Sequence, residues 1–236
     1  MNRAAENLEA LRENSYPGRG VCVGLDEAGA SLYQVYWIMG RSANSRNRVF
    51  IAAGPTLRTE PADPSKVEDP SLIIYNAMRE TGPNYIVTNG DQTDTIFDEL
   101  EAGGTFVSAL ETRTYEPDGP NFTPRISGLS VLEGSAAVTF LSVLKKSPFG
   151  DGAVRETFQY ETLPEGAGCT VTTYTGDGSP LPSFEGEPYL LPLEGSPEKA
   201  AETLWDALDE ANRISLALKQ VDLASGSSSI EIINKY

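Results

Sequence analysis

VCVGLDEAGASLYQVYWIM, residues 21–39, places two apolar runs on either side of one short turn. The runs VCVGLD and SLYQVYWIM are rich in β-branched and aromatic residues, and Asp26–Gly29 between them is turn material. They lie close enough in sequence to pair as an antiparallel hairpin. RVFIAAG (48–54) is a third strand-like run, reached through a second turn at Arg41–Asn47. NYIVTNG (84–90) reads as a buried strand ending in a turn. RISGLSVL, AAVTFLSVL, ETFQYETL and CTVTTYT, all between residues 125 and 175, add four more, mostly with apolar residues at every second position.

Helical patterns fall between and beyond these strands. RAAENLEALRE (3–13) reads as a short helix, and Pro70 suits the first turn of another that continues through Leu72, Ile73, Tyr75, Asn76 and Met78. Thr93 and Asp94 stand at an N-cap position before TIFDELEAG, and Thr105–Glu111 forms a further run. Ser196–Pro197–Glu198 opens the longest helix, to about Lys219, with Leu204, Leu208, Ala211 and Ile214 as its buried stripe. TLRTEPADPSKVEDP (56–70) is Pro-rich and polar, and is expected as a surface loop. The pattern predicts an α+β fold in which two mainly antiparallel sheets stack between helical layers. Residues 1–15 are expected as a helical leader and 16–236 as a single domain.

The chain has 236 residues and a net charge of −16. That balance excludes a nucleic-acid binder, which needs a basic footprint, and an anionic membrane surface. Two cysteines, Cys22 and Cys169, are too few for a disulfide scaffold and sit in apolar or β-branched runs, as buried free thiols do. The first fifteen residues are charged and helix-forming, unlike a signal peptide, and no apolar run has the length of a membrane span. A cytoplasmic protein is expected. Histidine is absent altogether, which removes Ser-His-Asp and Cys-His mechanisms and most catalytic zinc sites. No metal and no cofactor is expected.

Charge is unevenly placed. Between Tyr16 and Arg58 there are five arginines (Arg19, Arg41, Arg46, Arg48, Arg58), no lysine, and only Asp26 and Glu27 as acids. Guanidinium forks match phosphate oxygens and keep their charge, so this stretch suits a phosphorylated small molecule. GRSANSRNR (40–48) mixes arginine with small hydroxyl and amide residues at a strand end, where scaffolds present binding groups. TNGDQTDTI (88–96) brings hydroxyls and amides to a helix N-terminus, and YNAMRE (75–80) carries a tyrosine on an apolar segment. TYEPDGPNFTPRI (114–126) holds a Tyr-Glu pair and a Thr-Pro-Arg triplet feeding a strand.

YPGRG (16–20), GRSANSRNR (40–48), DPSLIIYNAMR (69–79), VTNGDQTDTI (87–96), YEPDGPNFTPRI (115–126) and GSPEKAAE (195–202), in this order, resemble the archaeal-type inosine monophosphate (IMP) cyclohydrolase family. The resemblance implies closure of the second purine ring: 5-formamidoimidazole-4-carboxamide ribonucleotide loses water to give IMP. It also implies an αββα sandwich of the N-terminal-nucleophile-hydrolase type. A nucleophile of that type is not evident, because the chain opens with Met and use of Cys22 would require cleavage inside VCVG. By the same resemblance Arg48, Tyr75 and Glu116 are the candidate catalytic residues: Arg48 for the oxyanion, Tyr75 for the formyl oxygen, Glu116 for the carboxamide and its proton. Arg19, Arg41 and Arg125 are assigned to phosphate and ribose. Ser42, Asn47, Asn76, Asn89, Gly90, Thr93, Asp94 and Thr95 complete the expected binding set. The implied partner is a phosphorylated nucleotide, with homo-oligomerisation left open. Two other readings stand beside this one: a diverged hydrolase opening a related amide of a nucleotide, and a nucleotide-binding module without turnover.

Overall fold

The expected hairpin forms. In the computed structural model, which describes residues 3–67 and 73–236, β1 (Gly20–Leu25) and β2 (Ser31–Met39) pair antiparallel from Gly20 opposite Trp37 to Leu25 opposite Leu32. This hairpin is the middle of a six-stranded sheet. β10 (Ala167–Thr172) and β11 (Tyr189–Pro192) extend it beyond β1, and β12 (Arg213–Asp222) and β13 (Ser228–Asn234) extend it beyond β2. A second sheet of seven strands runs in chain order through β3 (Val49–Ala53), β4 (Thr56–Glu60), β5 (Asn76–Thr81), β6 (Asn84–Thr88), β7 (Arg125–Glu133), β8 (Ala136–Lys146) and β9 (Ala153–Tyr160). Neighbouring strands in both sheets are antiparallel.

The period of two along β2 explains the stacking. Leu32, Tyr36 and Ile38 point between the sheets, while Tyr33, Val35, Trp37 and Met39 point outward, and all are buried. A strand buried on both faces requires cover on both. The outer face of the first sheet is covered by α1 (Arg3–Glu13) and α5 (Pro197–Ala207), whose Leu8, Leu11 and Leu204 join the outward residues of β2. On the other side, α3 (Gln92–Glu101) and α4 (Phe106–Glu111) cover Ile86, Leu129 and Leu144 of the second sheet. The molecule is an α+β sandwich: helices, sheet, sheet, helices.

Four expectations are corrected. The helix expected from Pro70 is absent from residue 73 onward, where Asn76–Thr81 is strand β5; residues 68–72 lie outside the described residues. Met78 is bonded opposite Leu57 on one side and Val87 on the other, so sheet pairing overrides the helical spacing. The loop expected over 56–70 begins with strand β4, turned onto β3 through Gly54 at φ 60°, and over 61–67 holds no strand, only a 3-10 turn at Pro64–Lys66. The long helix ends at Ala207 rather than near Lys219. Asp209 stops it, accepting from the Asn212 N–H through its carboxylate at 3.0 Å and from the Arg213 N–H through its carbonyl at 2.9 Å, and Arg213–Asp222 continues as a strand. Finally, α3 starts at Gln92 with Asp91 at the cap, while Thr93 Oγ1 lies 2.7 Å from Thr88 Oγ1.

Candidate active site

The segments before β1, β5 and β7 and after β2 and β10 meet at one end of the sandwich. YPGRG turns the chain into β1: Gly18 sits at φ 74°, and a Cβ there would fall 2.2 Å from the Thr173 hydroxyl. A Cβ on Gly20 would fall 1.9 Å from the Trp37 ring. Only glycine fits on either side of Arg19, and the tight turn sends that side chain inward. A cavity of about 220 Å³ lies here, walled by Tyr16, Tyr174 and Leu181 and carrying Arg19, Arg41 and Arg48, with Asp118 as its carboxylate.

Arg48 is aimed by its local sequence. Ser42 and Ser45 form a reciprocal cap around the short helix α2 (Ala43–Arg46), with Ser45 N–H to Ser42 Oγ at 3.1 Å and Ser42 N–H to Ser45 Oγ at 3.0 Å. The helix stops after one turn, and the Ser45 carbonyl accepts from Arg48 Nε at 2.9 Å. Asn47 then clamps Asp63 by two bonds, at 2.8 and 2.7 Å. Arg48 is 1% exposed, yet its Nη1 has no partner. Burial lowers its affinity for the proton and the nearby Arg19 charge lowers it further. A buried guanidinium with an unmatched donor in a cavity wall is a ready site for an anionic oxygen.

Arg19 donates to Glu116 at 2.6 Å, with 12% and 3% of the two side chains exposed. Two influences oppose each other here. Burial pushes the Glu116 carboxyl above its usual range despite Arg19, whereas Glu116 holds Arg19 well above the usual guanidinium value despite burial. The short N–H···O contact decides for an ion pair. Tyr75, at the entry to β5, meets Tyr36 of β2 hydroxyl to hydroxyl at 2.6 Å, bridging the two sheets. Both tyrosines and Glu116 interact with Arg19 and Arg48. Tyr75 and Glu116 are 6% and 2% exposed and lie beside the two arginines without lining the cavity.

The remaining expected residues divide. Arg41 is half-exposed at the mouth, ion-paired with Asp177 and stacked 4.9 Å over the Tyr16 ring; Ser42 lines the cavity beside it. The other group stands apart at the start of α3. Asn89 donates to the Pro124 carbonyl at 2.9 Å and accepts from the Ile126 N–H at 2.9 Å. The Gly90 carbonyl accepts from Thr88 at 2.9 Å and Thr93 at 3.2 Å. Asp94 receives Asn76 at 2.9 Å and Arg79 at 2.8 Å, and Thr95 follows on the same helix. Arg125 spends its donors on Asp91 at 2.6 Å, Gln92 at 2.8 Å and the Thr114 carbonyl at 2.9 Å. These residues do not line the 220 Å³ cavity.

Sequence reasoning missed several wall residues. Asp118 accepts from the Thr123 N–H at 2.7 Å, and Thr123 Oγ1 lies 2.6 Å from the Tyr174 hydroxyl, so the loop before β7 is pinned to the segment after β10. Tyr16, Asp118, Asn121 and Thr123 lay inside segments already singled out, whereas Thr173 and Tyr174 lay in a run read only as strand. Cys22 is fully buried on the helix-covered face and its thiol is pushed up to about 12, which leaves it no nucleophilic part. Cys169 is likewise a buried free thiol. Among the described residues no group of three or more Cys, Asp and Glu is placed to hold a metal ion, and no helix is long and apolar enough to cross a membrane.

The fold and the cavity together define an α+β sandwich with an arginine-lined cavity whose charge suits a small anion. The model of a family described as "IMP cyclohydrolase-like protein" matches residues 16–225, and the chain belongs to that family. It is 37% identical over 127 residues to an IMP cyclohydrolase of Methanothrix thermoacetophila, covering 52% of this chain and 60% of that protein. It is 31% identical over 182 residues to one of Methanopyrus kandleri, covering 72% of this chain and 89% of that protein. A third, of Halobacterium salinarum, is 32% identical over 127 residues, 61% of its length.

Proposed function

We propose that the protein is an IMP cyclohydrolase, closing 5-formamidoimidazole-4-carboxamide ribonucleotide to IMP with loss of water, in the cytoplasm and without a cofactor. The observation that carries this reading is the unmatched Nη1 of buried Arg48 in the cavity wall, in a chain of this family. The phosphate lies at the mouth by Arg41 and Ser42, and the formamido group reaches the floor between Arg19 and Arg48.

Ring closure is intramolecular, so holding the two arms together supplies much of the rate. The carboxamide nitrogen adds to the formyl carbon and gives up one proton, accepted by Glu116. Charge growing on the formyl oxygen is met by Arg48 and by the Tyr75 hydroxyl; one such donor is worth roughly 3–4 kcal/mol of barrier. The carbinol oxygen then leaves as water, and the formamido nitrogen loses its proton as the C=N bond forms. One oxygen and two protons depart in total. No step calls for histidine, which this chain lacks.

The test is turnover of the formamido ribonucleotide, followed by ultraviolet absorbance, with IMP as the reverse substrate. Formation of IMP supports the reading. Binding without turnover would leave a nucleotide-binding module, and neither binding nor turnover would point to a different amide of a nucleotide.

A further inference from the structure

Tyr36 has no place in the reaction scheme above, yet its hydroxyl touches one that does. Its backbone is fixed in the middle of the first sheet, opposite Val21 of β1 and Ala217 of β12. Its ring packs 5.3 Å from Phe50 in the space between the sheets. The side chain is therefore held in one orientation by strand register and core packing, and its hydroxyl ends 2.6 Å from that of Tyr75. Tyr36 is 0% exposed and Tyr75 is 6% exposed.

A phenol carries one proton, and a pair of phenols must share their donors in one direction. If Tyr75 donated to Tyr36, the Tyr36 proton would be left without an acceptor in a fully buried position, which is costly. If Tyr36 donates to Tyr75, its own proton is satisfied and the Tyr75 proton is left for another acceptor, on the less buried member of the pair. We infer that Tyr36 is a positioning residue: it donates to the Tyr75 hydroxyl and thereby directs the Tyr75 proton at the oxygen on which charge develops. This role rests on the cyclohydrolase reading. The relay runs from the first sheet to the second and then to the substrate, and each hydrogen bond in such a chain polarises the next.

Tyr36→Phe removes the donor and keeps the ring. We expect kcat to fall about tenfold while KM stays within about twofold, since the bond acts on the transition state and not on binding. Tyr75→Phe is expected to lower kcat more, about a hundredfold, and the double variant should match Tyr75→Phe alone, because Tyr36 acts only through Tyr75. Tyr33→Phe, on the same strand but facing the helices, serves as control and should turn over at the wild-type rate. Loss through simple damage to the core would instead multiply in the double variant, and that result overturns the role. So does a Tyr36→Phe protein with wild-type kcat. A readout independent of turnover is the ζ-carbon resonance of Tyr75 in tyrosine-labelled protein, which should move in Tyr36→Phe and stay in Tyr33→Phe. A resonance that does not move overturns the pair even if the wild type is active. A resonance that moves in a protein without turnover leaves the pair standing and sinks the cyclohydrolase reading instead.

Discussion

Arg19 and Glu116, 97 residues apart in the chain, meet at 2.6 Å inside the sandwich and tie the turn before β1 to the loop before β7. Backbone bonds fix both members: Glu116 N–H donates to the Thr123 carbonyl at 2.9 Å, and Arg19 N–H to the Thr173 hydroxyl at 3.1 Å. The pair thus orients the proposed base. Removing one member leaves the other charged and buried, which typically costs about 3–5 kcal/mol, whereas replacing both with apolar groups is often neutral. Arg19→Met is expected to fall in that range by urea unfolding, and adding Glu116→Leu should restore most of the loss. A double variant as unstable as the single one would mean that the two charges do not depend on each other.

Arg48 presents the opposite case. The charge that most affects it is a second arginine, and its Nη1 has no partner. A buried cation of this kind is held by the fold at a cost to stability, which its proposed role toward an anionic oxygen explains. Arg48→Met should therefore unfold at the same or a higher urea concentration than wild type while kcat falls by about 10²–10³. IMP should raise the melting temperature of wild type but not of the variant, because only the wild type gains from binding. If Arg48→Met is markedly less stable and still active, Arg48 serves the fold and not the substrate.

Arg41 stands at the mouth, with 38% of its side chain exposed and Asp177 as its partner. In the proposed reaction it captures and holds the phosphate, where screening acts freely. Arg41→Ala should raise KM with little change in kcat, and the wild-type KM should itself rise as salt shortens the Debye length from about 8 Å at physiological strength to about 3 Å at 1 M. A salt-independent KM would remove the phosphate from this position.

The sheets were legible because their strands alternate, and because β2, apolar but for Ser31 and Gln34, can be buried on both faces only inside a layered fold. Two of the misread elements carry helical spacing. Tyr75, Asn76 and Met78 fit a helical face, as do Leu204, Leu208, Ala211 and Ile214, but strand partners decide the first and a turn at Asp209, inside the stripe, ends the second. In the site, the sequence brings Arg19, Arg48, Tyr75 and Glu116 within reach of one another only through tertiary contacts. Their residue types made them candidates; the Arg19–Glu116 pairing could not be read from positions 97 apart. Asn89 and Arg125 show the reverse, since amide and guanidinium groups that look ligand-seeking in sequence are taken up by Pro124, Ile126, Asp91 and Thr114.

The pH dependence separates the proposed catalytic part of Glu116 from its structural one. Burial raises its carboxyl above the ordinary value of 4.5, with Arg19 pulling the other way. A base must be ionised, so kcat should fall as pH drops through that raised value, giving an acid limb above the usual carboxylate range. Stability runs in the opposite direction. A carboxyl whose folded pKa lies above its unfolded one binds its proton more tightly in the folded state, so its contribution is full below about 4.5 and is lost as pH rises through the folded value. Between those two values the protein should become less stable and more active together. Glu116→Gln is the matched control, since it cannot ionise. It should remove the acid limb from whatever activity remains and flatten the stability change over the same interval, read by urea unfolding at a series of pH values. If the limb persists in Glu116→Gln, the base is another group, and Asp118, the carboxylate in the cavity wall, becomes the residue to substitute next.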